Sequence, residues 1–479
     1  MDFDLIVIGS GPGGYKAAVA AAHSGARVAI VERDRPGGTC LNQGCIPKKA
    51  LLYLAGLIED VNALNGHGLC GSTHGDFPAA LAHKDRVVAN IRDNFPIWLK
   101  RLGVRVYRGH ARFLDARRVA VTPEPSDSDL GEVLGAPRII VATGAHPREH
   151  PVCRSDGQRI LTSRDFMFEQ RDLPETVLCL GGGPIGVELA YLMHQFGARV
   201  TVAERSGRLL NKPCIPERAS GLIERKFRRL GIEVTKDVTV AAIDRRRDGV
   251  HVEFTNGQEQ TFERILVAIG RQPHTAGLNL QASGVELDEN GFIVTNEYLE
   301  SSAPGIYAVG DVKYGPMTAN AALHDAKVAV TNALKGNSVT RNYNRVPIVI
   351  DSALEIAAVG LTEDRAEDAG FEPEVARANF AASAKSLGRN DYEGFIEVVH
   401  DDETGQMLGG CIVGPEAGEQ IQMLTAACQS PRGLWFLKDI SYSHPSWCEE
   451  LENAIDPYTA DFIQSGREVF RPGIYALGE

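Results

Sequence analysis

The sequence predicts an α/β protein containing two separate doubly wound parallel-sheet folds. Two observations carry this reading: a glycine fingerprint at 9–14 with a strand before it and a helix after it, and the same arrangement again at 181–186. A third observation concerns connectivity. The strand-like fragments "RIIVATGAHP" (138–147) and "GIYAVGDV" (305–312) suggest that the chain leaves its first fold and later returns to it. At 479 residues the chain exceeds what one hydrophobic core organises, so several domains are expected.

The first fold opens with "DLIVI" (4–8), which reads as a buried parallel strand. "GSGPGG" follows, then an alanine-rich helix from about Tyr15 to Ser24, then the strand "RVAIVE". Gly9, Gly11 and Gly14 satisfy G-x-G-x-x-G. The first glycine permits the tight turn, the second lets a pyrophosphate approach the backbone, and the third lets helix and strand pack closely. Glu32 ends the second strand, 23 residues after Gly9, where an acid holds ribose hydroxyls. Together these mark a Rossmann-like dinucleotide-binding fold.

The pattern recurs with "VLCL" (177–180), then Gly181, Gly183 and Gly186 in "GGGPIG", then a helix through "VELAYLMHQFG", then "ARVTVAE". Pro184 suits a first helical turn, where a missing N–H costs little. Glu204 takes the ribose position; a carboxylate there accepts from a 2′-hydroxyl and repels a 2′-phosphate, which favours NAD over NADP. Arg205 and Arg208 lie close by and speak the other way. Two nucleotides in one chain suggest an electron relay, in which a nicotinamide exchanges hydride with a second cofactor, usually a flavin. Asp311, at the end of "GIYAVGD", stands where open sheets bind ligands.

Between the folds lies "GGTCLNQGCIPKK" (37–49), with Cys40 and Cys45 close together. Zinc needs about four ligands in paired units, and no second Cys or His pair has such spacing, so no metal site is expected. A staple closing so short a loop removes little unfolded-state entropy. A redox pair fits better. Helix positions five apart rise about 7.5 Å and turn roughly 140° apart, too far for a disulfide, so an irregular turn is expected over 37–44, eased by Gly44. A cycling dithiol also needs a base near neutral pH. His444, with Glu449 five residues on in "SYSHPSWCEELENAI" (441–455), offers one; a lone His before Pro is more often structural.

Bulk properties exclude other classes. A net charge of −12 argues against a nucleic-acid binder, and Arg245-Arg246-Arg247 reads as a solvated turn. No apolar run has the length of a membrane span, and the N-terminus enters a strand without a basic leader, so a cytoplasmic protein is expected. Nine cysteines, odd in number and without framework spacing, disfavour a disulfide scaffold.

The order of the first fingerprint, "GGTCLNQGCIPKKALL", an ATG turn, "IGVEL", "AIGRQP", "YAVGD" and "HPSWCEE" resembles the pyridine nucleotide–disulfide oxidoreductases, and most nearly their dihydrolipoamide dehydrogenases. The resemblance implies an FAD domain in two pieces (1–148 and 273–345), an NAD domain (149–272) and an α+β dimerisation domain (346–479) that opens at "VPIVIDSALEIAAVGLTE". It implies a homodimer that reoxidises dihydrolipoyl groups on a carrier protein and reduces NAD. Cys45 would contact the flavin, Cys40 would exchange with the substrate, and His444, oriented by Glu449, would act across the dimer interface. Gly9, Gly11, Gly14, Glu32, Gly38, Thr39, Lys49, Ala111, Gly144, Asp311 and Ala319 would hold FAD, with Lys49 paired to Glu188. Gly181, Gly183, Gly186, Glu204, Val238 and Gly270 would hold NAD.

Four positions depart from the lipoamide pattern. Tyr442 replaces a histidine, Ser446 a threonine, Asn320 and Ala321 a His–Lys pair, and Lys48 a hydroxyl residue. They leave the chemistry in place and suggest a carrier other than that of the common 2-oxoacid complexes. A glutathione-type reductase is the rival enzyme; Glu204 and the "CLN…GCIP" wording disfavour it. A mercuric reductase is disfavoured because the tail "FRPGIYALGE" lacks cysteine. A flavin-bearing interaction subunit without catalysis is disfavoured because Cys40, Cys45, His444 and Glu449 are all present.

Overall fold

A computed structural model describes residues 2–123, 131–168 and 172–464; the cysteine-free tail noted above lies outside them. The chain forms two compact units. The first takes in the described residues up to Asn62, Cys70–Gly207 and Gly231–Tyr343; the second takes in Ala63–Leu69, Arg208–Leu230 and the described residues from Asn344 on.

The first unit holds two parallel five-stranded sheets. One runs Ile306–Ala308, Ile139–Val141, Leu5–Ile8, Val28–Glu32, Arg105–Arg108. Its late strand is in register with an early one, Ile306 opposite Ile139 and Ala308 opposite Val141. The other runs Glu233–Thr235, Arg199–Ala203, Thr176–Leu180, Arg264–Val267, Ile160–Thr162. All four residues of Leu5–Ile8 are buried, because both faces of a parallel sheet are covered. Leu5 and Val7 pack with Ala17, Ala18 and Ala21 of helix Pro12–His23, whereas Ile6 and Ile8 pack with Phe113, Val119 and Val121 of an antiparallel hairpin sheet. The helix starts at Pro12, three residues before the expected Tyr15, with proline in its first turn.

The second unit is α+β. A five-stranded antiparallel sheet runs Ile348–Ile350, Ile356–Gly360, Met407–Val413, Phe395–Asp401, Pro373–Asn379. Its core joins Ile396 and Ile412 to Ile421 and Leu424 of helix Ala417–Ala427, and to Leu451 and Ile455 of helix Glu449–Gln464. Among the described residues, no helix is long and apolar enough to cross a membrane.

Candidate active site

Each fingerprint glycine has a distinct physical task. Gly9 has φ +100°, and a Cβ there would sit 2.4 Å from Ala142 O; a Cβ on Gly14 would sit 1.9 Å from Gly9 O. Gly11, by contrast, has only Gly38 Cα at 3.9 Å beside it. The second fold repeats the pattern. Gly181 has φ +110° with Ala268 O at 2.5 Å, Gly186 has Gly181 O at 1.8 Å, and Gly183 has nothing within 4 Å. The outer glycines are therefore required by packing and the middle one leaves space for an incoming phosphate.

An acid guards each turn. Glu32 Oε2 accepts from Ser10 N (2.9 Å) and Ser10 Oγ (2.6 Å), and its other oxygen accepts from Asp34 N. Glu204 accepts from Gly182 N at 2.6 Å and from Ser206 N and Oγ at 2.6 and 2.8 Å. Val238 is buried and its N–H donates to Glu204 O, while Gly270 (φ +114°) follows strand Arg264–Val267.

Two of the other predicted flavin-holding positions follow neighbouring strands of the first sheet. Gly144 (φ +68°) follows Ile139–Val141, and Asp311 follows Ile306–Ala308 on a single 3₁₀ turn. Ala319 begins helix Ala319–Lys335, capped by Thr318, and buried Ala321 donates to that cap. Ala111 lies in strand His110–Asp115. Burial raises the Asp311 carboxyl, against the pull of Arg271 (Nε 3.6 Å away) and Lys313. Arg271 Nε is itself buried without a hydrogen-bond partner. Lys313 pairs with Asp325 at 3.0 Å, both fully buried, and Asp325 also accepts from Gly310 N. The open middle glycines, the two guarding acids and the orphaned donor beside Asp311 fit FAD on the first fold and NAD on the second.

The cysteine segment is fastened to the first turn. Gly37 N donates to Ser10 Oγ, and a Cβ on Gly38 would sit 2.6 Å from Gly11 Cα. The irregular turn expected over 37–44 is smaller than predicted. Gly38–Gln43, which includes Thr39 and Cys40, is helical, and the break falls on Gly44 (φ −132°, ψ −111°) before helix Cys45–Ala63. A side chain at Gly44 would press within 3.1 Å of Thr39 O. That one break redirects the chain enough to bring the two thiols into hydrogen-bond contact, both as free cysteines.

The two thiols are unequal. Cys45 is lowered to about 7, first by the thiol hydrogen bond from Cys40, then by Lys48, against burial. Its place at the first turn of a 19-residue helix favours a thiolate as well. Cys40 is raised, chiefly because it donates that bond and then by burial. Lys48 Nζ lies 2.5 Å from Glu188 Oε1, with Glu188 almost wholly buried. Lys48 thus stands on Glu188, next to the Lys49 for which the resemblance implied that pairing.

His444 and Glu449 meet in the second unit, Nδ1 to Oε2 at 2.9 Å, and the imidazole is 79% exposed. Ser446 N donates to Glu449 Oε1, and Glu449 N donates to Ser446 Oγ, both at 3.2 Å. This is a reciprocal capping box at the start of helix Glu449–Gln464. The S-x-x-E pattern was present in the sequence and passed over there, as were Ser10, Ser206 and Arg271. Tyr442 points its hydroxyl back to Leu437 O at 2.9 Å.

Residues 3–326 match the family described as pyridine nucleotide-disulphide oxidoreductase, and 346–455 match its dimerisation domain. The chain is 36% identical over 462 residues to a dihydrolipoyl dehydrogenase of Thermus scotoductus, covering 95% of this chain and 97% of that one. It is 37% identical to one from Chlorobaculum parvum, covering 94% and 96%. Among solved structures, LpdA from Mycobacterium tuberculosis superposes with a TM-score of 0.88 at 26% identity, covering 95% of this chain and 99% of that one. The flavoprotein disulfide reductase RclA of Escherichia coli, described as HOCl-induced, gives 0.81 at 27% with the same coverage. With both matches spanning the two folds and the C-terminal sheet, the chain belongs to the pyridine nucleotide–disulfide oxidoreductases.

Proposed function

We propose that this chain is a dihydrolipoyl dehydrogenase that, as a homodimer, reoxidises dihydrolipoyl groups carried on a protein and reduces NAD. The observation that carries the reading is the inequality of the cysteine pair in hydrogen-bond contact, with Cys45 drawn toward the thiolate by Cys40 and Lys48 and Cys40 held as the thiol. The full-length likeness to dihydrolipoyl dehydrogenases supports the choice of substrate.

In the oxidised enzyme Cys40 and Cys45 share a disulfide. A dihydrolipoyl thiol, giving its proton to His444 of the other protomer, attacks Cys40 Sγ; a bond forms between lipoyl sulfur and Cys40, and Cys45 leaves as thiolate. Cys45 leaves readily because its thiolate is the stabilised one. The second lipoyl thiol attacks the lipoyl sulfur bound to Cys40, closing the dithiolane, and its proton passes to the released Cys40. Two electrons and two protons leave the carrier, and the cysteine pair is left reduced. Glu449 keeps the imidazole turned so that Nε2 receives the proton. Lys48 and Glu188 set the charge beside Cys45. FAD, when bound, would supply the two-electron relay between the cysteine pair and NAD. Gly9, Gly11, Gly14, Glu32, Gly38, Thr39, Lys49, Ala111, Gly144, Asp311 and Ala319 would hold FAD; Gly181, Gly183, Gly186, Glu204, Val238 and Gly270 would hold NAD.

The test is a substrate panel on the FAD-loaded protein: dihydrolipoamide with NAD or NADP, and glutathione disulfide with NADH or NADPH. The reading expects turnover of dihydrolipoamide with NAD. Reduction of glutathione disulfide by NADPH without lipoamide turnover would overturn it.

A further inference from the structure

Trp447 stands three residues after His444 and is only 6% exposed. Its Nε1 donates to Ser386 Oγ at 3.0 Å, and Ser386 is fully buried in the short helix Ala384–Arg389. The same helix carries two cations one turn apart, and both lie on that ring. Lys385 Nζ is 4.0 Å and Arg389 Cζ 5.1 Å from the Trp447 ring centroid. Like charges four residues apart on a helix repel each other by a few tenths of a kcal/mol, which the two contacts with the Trp447 ring offset, so the ring holds both charges side by side. Among the described residues neither cation makes an ion pair or a hydrogen bond. Two acids follow the helix in sequence: Asp391, whose N–H donates to Ser386 O, and Glu393, which is held by Arg229. Arg389 is exposed, and beside it are the half-exposed side chains of Leu387 and Tyr392. In a chain of net charge −12, Lys385 and Arg389 are two adjacent cations that, among the described residues, make no ion pair, fixed to the segment that carries His444.

We propose that Lys385 and Arg389, held on Trp447, form a docking rim for carboxylates on the surface of the lipoylated carrier protein. The proposal rests on the dihydrolipoyl dehydrogenase reading and names the carrier's chemistry. A lipoyl group in amide linkage is neutral, so the anions are the carrier's own Asp and Glu side chains around the lipoyl-lysine. The rim offsets the repulsion that an acidic carrier meets from the rest of this acidic enzyme, and it acts mainly on encounter, which salt weakens. Leu387 and Tyr392 add apolar contact area beside the cations.

The experiment uses the FAD-loaded protein and its Lys385→Gln/Arg389→Gln variant. Four substrates are compared: free dihydrolipoamide, free dihydrolipoate, a dihydrolipoyl domain ringed by Asp and Glu, and the same domain with those residues changed to Asn and Gln. The rim predicts that the variant raises KM for the acidic domain about tenfold and flattens the loss of kcat/KM with added NaCl. It predicts changes under about twofold in KM for the neutralised domain and both free substrates, since rim charges act through long-range steering. Lys385→Arg/Arg389→Lys should restore the native values. An unchanged KM for the acidic domain overturns the proposal. An equal loss with dihydrolipoamide overturns it too, because the pair would then only support the shape around His444. A loss shared by dihydrolipoate assigns the anion to the free ligand's own carboxylate and overturns the carrier assignment. Absence of NADH from dihydrolipoamide with the native protein is a separate result, and it strikes the underlying reading instead.

Discussion

Glu449 holds His444 with one carboxylate oxygen, at 2.9 Å, and the backbone N–H of Ser446 with the other. One side chain therefore caps a helix and orients an imidazole, and the two tasks can be separated. Glutamine also serves in a capping box. Glu449→Gln should keep the melting temperature but lower kcat by about a hundredfold, at the low end of what a positioned base contributes. Ser446→Ala should do the reverse, costing about 1 kcal/mol of stability with little loss of turnover. Thermal melts paired with steady-state rates check both.

The Cys45 thiolate depends on two neighbours of different strength. Its hydrogen bond from Cys40 comes first and the charge of Lys48 second, so Cys40→Ala should raise the Cys45 pKa more than Lys48→Met does. The thiolate is the charged form, and removing either support moves its titration up from about 7 toward the ordinary thiol range. At pH 7 the thiolate fraction should fall from about half to under about a tenth in Cys40→Ala. Absorbance of the thiolate near 240 nm against pH reads both shifts, and equal shifts in the two variants would contradict the ranking.

The second fingerprint offers a contrast between packing and binding. A Cβ at Gly186 would meet Gly181 O at 1.8 Å, whereas Gly183 has open space. Gly186→Ala should destabilise the second fold by about 1–3 kcal/mol, as overpacking does. Gly183→Ala should stay within about 1 kcal/mol of the native protein, since only a helix-cap residue changes, yet weaken NAD binding tenfold or more. Denaturant melts and NAD titration separate the two.

Glu204 turns its carboxylate onto Gly182 and Ser206 at the mouth of the same turn. Replacing it with arginine removes a charge that repels a 2′-phosphate and adds one that attracts it. The ratio of kcat/KM for NAD over NADP should fall by about a hundredfold or more, since a swap of charge at close range is worth several kcal/mol. Ser206→Ala, which loosens the native carboxylate, should lower the same ratio by a smaller factor.

Much of this was legible in the sequence because the chemistry there is local. The glycines of both turns announce themselves, since a backbone at φ +100° or +110° beside a carbonyl admits no other residue. The partners of those turns were harder to see. Ser10 and Ser206 look like ordinary loop serines until Glu32 and Glu204 are seen to accept from them. The cysteine spacing showed that a regular helix could not join the sulfurs, but not that one residue, Gly44, would suffice. The place of Lys48 on Glu188 has the same origin, because the direction of the lysine is set by how the helix restarts after that break. Lys385 and Arg389 gave no sign at all, since what distinguishes them is a tryptophan some sixty residues away in the chain.

The central claim is that Cys45 is the thiolate against the flavin and Cys40 the exchanging thiol. The most direct measurement is the absorbance spectrum at pH 9 of FAD-loaded Cys40→Ser and Cys45→Ser without any reductant. The account predicts a long-wavelength band, from thiolate against flavin, in Cys40→Ser and none in Cys45→Ser. The band in Cys45→Ser alone would contradict it.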